Sequence, residues 1–290
     1  MTTPESSALA LPPRPDLVQA GEKRLGWLER TIIGFVRRTF DPGLLSRAVH
    51  YGQRTVGCGW IHHCTKHLRH VHGLDRLPEL DPKQSFILIA NHRSFFDLYV
   101  VFGDLVHRGL KHRIVFPVRS TFFYDNPLGL LVNGVMSFFA MYPPLFRDKR
   151  RAQLNALGLS ELAGLLLAGQ TLVGIHPEGR RNPGTDPYEL LPAKSGVGRL
   201  IHAARGVPVV PVFTNGLLPN DLPRQITSNF DGTGVPIHSV FGAPIDFGAL
   251  LAEPPSQRLF GRIAEACLVA VRQLGEEEKR LRALGAAAAP

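Results

Sequence analysis

Four short apolar runs, at Phe86–Ala90, Ile114–Val118, Thr171–Ile175 and Val207–Phe213, constrain the fold of this chain more than any other feature. They show no polar alternation, so they read as strands buried on both faces. Stretches with helical spacing are interleaved with them, at Phe95–Arg108, Leu128–Met141, Arg151–Ala168 and Gly196–Ala204. Gly169 and Gly206 fall where helices stop. A further strand is expected near His238–Phe241. The alternation predicts an α/β fold with a largely parallel central sheet flanked by helices. From Gln257 a long helix should follow, with Phe260, Ile263, Cys267, Val271 and Leu274 on one stripe. Its charged end, Glu276 to Arg282, reads as a solvated face.

Residues 1–15 are rich in Ser, Ala and Pro and are expected to be disordered. From Lys23 to Phe40 the pattern is amphipathic: Leu25, Leu28, Ile32, Phe35, Val36 and Phe40 recur at helical spacing. Glu29 interrupts the apolar face and Trp27 the polar one. Asp41-Pro42-Gly43 ends this helix, and a second helical stretch runs from Leu44 to Leu68. The pair reads as an N-terminal amphipathic hairpin on a membrane, apolar face down and cations toward the headgroups. The alternative is a helix packed on its own domain. The expected division is therefore residues 1–15 as a tail, 16–72 as a membrane-associating helical region, 73–256 as the α/β domain, and 257–290 as a C-terminal helix and tail. No apolar run is clean enough to span a bilayer. The nearest, Leu128 to Leu145, carries Asn133, Ser137, Pro143 and Pro144 and reads as one buried or interfacial helix.

The 290 residues carry a formal net charge of +9. A basic surface seeks phosphate, on nucleic acid, anionic lipid or a phosphorylated substrate. No nucleic-acid motif is present, so nucleic acid is not expected as a partner. Three cysteines, Cys58, Cys64 and Cys267, form no disulfide framework and fit a reducing cytoplasm. The start of the chain lacks the charged-then-apolar pattern of a secretory leader. His62, His63, His67, His70 and His72 cluster with Cys58 and Cys64, and His63, His67 and His70 would share a helix face. No paired metal-binding spacing accompanies them, so no metal is expected and a polar surface is the plainer reading.

The segment Asn91-His92-Arg93-Ser94-Phe95-Phe96-Asp97 directly follows the first apolar run. A histidine and a carboxylate five residues apart on one helix would lie on different faces. They can meet if His92 ends a strand and Asp97 sits in the first turn of the next helix. Ser94 as N-cap, with an acid three residues later, supports that turn. The plainer alternative is an N-terminal helix acid beside a surface histidine. A serine nucleophile at Ser94 is a further alternative, but the glycine-flanked elbow of hydrolases is missing.

Asn91-His92-x-Ser94-x-x-Asp97 resembles the H-x4-D signature of the glycerolipid acyltransferases, the 1-acylglycerol-3-phosphate acyltransferase family. Leu145-Phe146-Arg147 resembles that family's second block and His176-Pro177-Glu178-Gly179-Arg180-Arg181 its third. Lys194-Ser195-Gly196 is similar to its lysine-glycine element, and Val207-Pro208-Val209-Val210-Pro211-Val212 to its fourth block. His176 stands where the family has an aromatic residue, and Arg180 where it has a small hydroxyl residue. The resemblance implies transfer of a fatty acyl group from acyl-CoA or acyl carrier protein, a substrate rather than a cofactor, to a lysophospholipid hydroxyl. It implies 1-acylglycerol-3-phosphate as the default acceptor, with glycerol-3-phosphate or another lysolipid as alternatives. A catalytically silent lipid-binding protein of the same fold is a further one. His92 would be the general base and Asp97 its orienting acid. Arg147, Arg181 and Lys194 would bind the acceptor phosphate. Glu178 would hydrogen-bond the acceptor or pair with an arginine, and Gly179 would allow close backbone approach. The expected location is peripheral, on the cytoplasmic side of a membrane.

Overall fold

The computed structural model describes residues 15–79, 81–218 and 221–287. The tail expected at residues 1–15 lies outside them except for its last residue. The helices are α1 (Leu17–Ala20), α2 (Trp27–Arg38), α3 (Leu44–Gly52), α4 (Cys58–Thr65), α5 (Asp97–His107), α6 (Ser120–Phe123), α7 (Pro127–Ser137), α8 (Ala152–Leu167), α9 (Ser195–Ala203), α10 (Leu222–Asp231), α11 (Gly248–Leu251) and α12 (Gln257–Ala287). The strands are β1 (Arg69–His72), β2 (Phe86–Ala90), β3 (Arg113–Arg119), β4 (Met141–Leu145), β5 (Thr171–Ile175), β6 (Val209–Asn215) and β7 (Ile237–Phe241).

The strands form one sheet in the order β1-β7-β6-β2-β5-β3-β4. All neighbours are parallel except β6 and β7. The five residues of β2 and of β5 are all buried, as expected of central parallel strands. β2 lies between β5 and β6, with Ile89 opposite Ile175 and Ala90 opposite Val212. The C-terminal ends of these three strands therefore open onto the same edge. Gly169 and Gly206 adopt positive φ, +90° and +84°, just past α8 and α9.

Five expectations are corrected. The stretch Leu128–Leu145 is not one helix: α7 stops at Ser137, Phe138 and Phe139 turn the chain at positive φ, and β4 follows. β4 contains Pro143 and Pro144, which an edge strand tolerates because one side needs no amide donors. His70 and His72 lie on β1, not on a helix, so His70 cannot share a helix face with His63 and His67. Three cationic or imidazole side chains in a four-residue strand left no apolar signal. The second hairpin helix is broken by a π-helical turn at Gln53–Gly57. α10 was not anticipated.

The fourth correction concerns the amphipathic helix. Ile32, Val36 and Phe40 are buried in the same core as the sheet, so the face expected to meet lipid meets the domain. Glu29, the misfit on that face, is buried and bonded to Arg151 at 2.7 Å, and it accepts the Gly26 amide at 3.0 Å. Trp27 and Phe35 are left on the outside, 72% and 40% exposed. At the other end of the chain, the stripe from Phe260 to Leu274 is buried as expected. The charged end is not wholly solvated. Glu278 is fully buried and accepts from Tyr188 Oη at 2.8 Å and Arg282 Nε at 2.7 Å. No helix among the described residues is long and apolar enough to cross a membrane.

Candidate active site

His92 follows β2 and Asp97 opens α5, so a strand end and a helix start face each other across one tight turn. His92 Nδ1–H donates to Asp97 Oδ2 at 3.2 Å. The same oxygen accepts the backbone amides of Arg93 at 2.7 Å and Ser94 at 2.8 Å. The Ser94 amide bond is one half of the expected capping pattern. In the other half, Ser94 Oγ accepts the Phe96 amide at 3.2 Å, although regular helix begins only at Asp97. The Ser94 hydroxyl also donates to Leu218 O, and the residue is buried. That leaves it poorly placed as a nucleophile.

Asp97 is buried, while the His92 side chain keeps 19% of its surface exposed. One imidazole edge is therefore fixed and the other reachable. Burial, reinforced by the Arg181 charge, lowers His92 to about 4. Burial pushes Asp97 up to about 6, against the pull of His176 and the two backbone amides. With Nδ1 donating to the acid, Nε2 is the basic nitrogen.

The edge of β5 supplies the second wall. His176 stacks face to face on His92, ring centroids 3.7 Å apart and 4° from parallel. Its Nδ1–H donates to Ala90 O at 3.0 Å. The donor atoms of His92, Asp97 and His176 lie within 4.8 Å of one another, a group with the residue types that could hold a metal ion. Face-to-face imidazoles hold their lone pairs in two parallel planes 3.7 Å or less apart, and Nδ1 of each ring is already hydrogen-bonded, which is poor geometry for one tetrahedral ion.

Glu178 is fully buried. One carboxylate oxygen accepts the His92 amide at 2.7 Å and the other the Leu191 amide at 2.8 Å. It ties backbone segments together rather than reaching outward. Gly179 has φ +66°, and a Cβ there would lie 2.9 Å from Lys194 Cγ, so the turn and the lysine stem pack closely. Arg181 and Lys194 are exposed on this side of the sheet, and Arg181 is near enough for its charge to act on His92. Arg147 is exposed just past β4, at the far edge of the sheet. It has no hydrogen bond or ion pair among the described residues.

Two supporting residues were not singled out as site residues from the sequence. Asn182 donates its amide to His92 O at 2.8 Å. Asn91 exchanges two bonds with the backbone of Thr214 on β6, at 2.9 and 2.8 Å. Both depend on long-range pairing, which no local spacing reveals. His92 and His176 thus hang on the adjacent ends of β2 and β5, tied to β6 through Asn91, which fixes their geometry more tightly than a loop would.

The family model described as acyltransferase matches residues 68–215, more than half of the chain, and the chain belongs to that family. The fold is similar to that of the 1-acyl-sn-glycerophosphate (LPA) acyltransferase PlsC from Thermotoga maritima. The TM-score is 0.50 at 19% identity, covering 90% of this chain and 93% of that one. No curated protein matches.

Proposed function

We propose that this acyltransferase moves a fatty acyl group from acyl-CoA or acyl carrier protein to the hydroxyl of a lysophospholipid. The favoured acceptor is 1-acylglycerol-3-phosphate, giving phosphatidate. The observation that carries the reading is the His92–Asp97 contact, which leaves Nε2 reachable. In the first step Nε2 takes the acceptor hydroxyl proton while the oxygen attacks the thioester carbonyl. The C–O bond forms, the C–S bond breaks, and the leaving thiolate recovers the proton from the imidazolium. Asp97 holds the tautomer and stabilises the transient cation. No covalent acyl-enzyme is needed. Arg181 is the first choice for the acceptor phosphate, followed by Lys194; Arg147 would reach it only from the sheet edge.

The choice of acceptor is supported by the phosphate-seeking charge of +9 and by the substrate named for the structurally similar protein. A peripheral position on the cytoplasmic side of the membrane is part of the proposal. The test uses purified protein, labelled acyl-CoA and a panel of lysolipids plus glycerol-3-phosphate, with product identification. Arg181→Ala should raise KM for phosphate-bearing acceptors by roughly tenfold to a hundredfold, the worth of a charged hydrogen bond, with little change in kcat. No transfer to any acceptor would sink the proposal.

The pH profile supplies a second check. The base must be neutral and the acid ionised. His92 is lowered to about 4, so it stays neutral through the ordinary imidazole range, and Asp97 is raised to about 6. On lowering the pH, kcat/KM should stay level until about 6 and then fall as the pair takes up a proton. A midpoint well above the ordinary imidazole value of ~6.5 would contradict this assignment, because it would require the buried histidine to be held protonated rather than neutral.

A further inference from the structure

α7 is built inside out. Its buried face carries Asn133 and Ser137: Ser137 Oγ donates to Asn133 Oδ1 at 2.7 Å, and Asn133 Nδ2 donates to Met141 O at 3.2 Å. Its exposed positions are Pro127, Leu128, Leu131 and Val135, all apolar. The last three are 54%, 59% and 62% exposed, and the helix contains no charged residue. A helix that meets water shows the reverse arrangement. Nor can α7 roll to hide its stripe. A Cβ on Gly129 would sit 1.7 Å from Phe122 O, so the helix is seated against backbone.

The surroundings of α7 continue the same character. Phe139, just past it, meets Phe35 of α2 edge to face at 5.2 Å. Trp60 of α4 donates its indole N–H to Met136 O at 2.9 Å. The helical region that α7 adjoins also exposes Trp27, Leu44 and Tyr51, each above 70%. Phe123, just before α7, stacks parallel to Phe95 at 6.0 Å, three residues along from His92, which places this face beside the site. Exposed cations fall close by in the chain: Arg38 one turn from Phe35, Arg47 one turn from Leu44, and Arg119 ahead of α6. None of the three has an ion pair among the described residues.

We propose that the Leu128–Leu131–Val135 face of α7 docks on an anionic lipid bilayer and holds the mouth of the site at its surface. The choice of a bilayer as occupant rests on the lipid-acceptor reading. Charge complementarity favours it over a protein: an uncharged apolar stripe with unpaired arginines nearby matches acyl chains below anionic headgroups. Exposed Trp27 suits the same interface.

The experiment is co-sedimentation of the full chain with vesicles of phosphatidylcholine, with and without phosphatidylglycerol. The triple variant Leu128→Ser, Leu131→Ser, Val135→Ser should bind anionic vesicles about tenfold or more weakly. It should keep the wild-type melting temperature and its activity on a monomeric short-chain acceptor. In a second measurement, the indole introduced by Leu131→Trp should shift to the blue on vesicles and be quenched by brominated acyl chains. Wild-type vesicle binding by the triple variant, or an unquenched indole, would overturn the proposal. So would conversion of a dimer to a monomer with vesicle binding unchanged, which would assign the face to a second copy. His92→Ala should bind vesicles as wild type does. Failure of the wild-type chain to transfer acyl groups would therefore count against the enzyme reading, and failure of the α7 variants to lose binding against this one.

Discussion

Replacing His92 with alanine is expected to lower kcat for acyl transfer by ~10²–10⁴-fold, with lipid binding and melting temperature nearly unchanged. The side chain makes one polar contact, to Asp97, and one ring stack, on His176, both within the site and outside the apolar core, so little of the fold depends on it. The chemistry depends on it wholly, because Nε2 is the only nitrogen the geometry offers to the acceptor hydroxyl from this pair. Asp97→Asn should cost less. Three donors converge on Oδ2, while Oδ1 is buried without a partner. An asparagine can place its carbonyl oxygen where Oδ2 was and keep the histidine tautomer. It loses the charge that stabilises the imidazolium and buries its NH2 at the Oδ1 position without an acceptor, a cost to stability more than to the tautomer. Measured with a labelled thioester donor, equal losses in the two variants would mean that the acid does more than orient and stabilise. Wild-type turnover in His92→Ala would remove the base from the mechanism altogether.

The parts of this fold that could be read from the chain are those with a local cause. β2 and β5 run over the expected residues because FILIA and TLVGI are short runs without a charged residue, rich in β-branched and apolar side chains and bounded by turn signals, which leaves little choice. The His92–Asp97 pair was legible for the same reason, since the turn that joins them spans five residues. Other features arise from pairing across the sheet. His176 reaches His92 because Ile89 and Ile175 are in register, and spacing along the chain carries no record of that register. β4 was hidden by its prolines and by the apolar residues of α7 before it. The amphipathic pattern of α2 was seen, but a pattern shows only that a face is covered. It does not distinguish a bilayer from the protein's own core, and here the core covers Ile32 and Val36. The reversed polarity of α7 becomes visible only once Asn133 and Ser137 are seen to point inward.

Glu178 gives the sharpest test of how the site is held. Glu178→Ala would leave the amides of His92 and Leu191 buried without an acceptor. Each unsatisfied group costs about 1–3 kcal/mol, so the loss should be roughly 2–6 kcal/mol. Against a total stability of about 5–15 kcal/mol that is severe, and the melting temperature should fall by roughly ten degrees. Glu178→Gln should show about half the effect, because one amide keeps an acceptor oxygen while the other meets the new N–H donors. Both variants should lose kcat, since the His92 backbone loses the bond that sets its position beside Asp97. The split between kinetic constants separates this strut from a ligand. A carboxylate that held the acceptor would, on removal, raise KM and leave the melting curve in place. One that holds the histidine backbone lowers kcat and stability together while KM stays close to wild type.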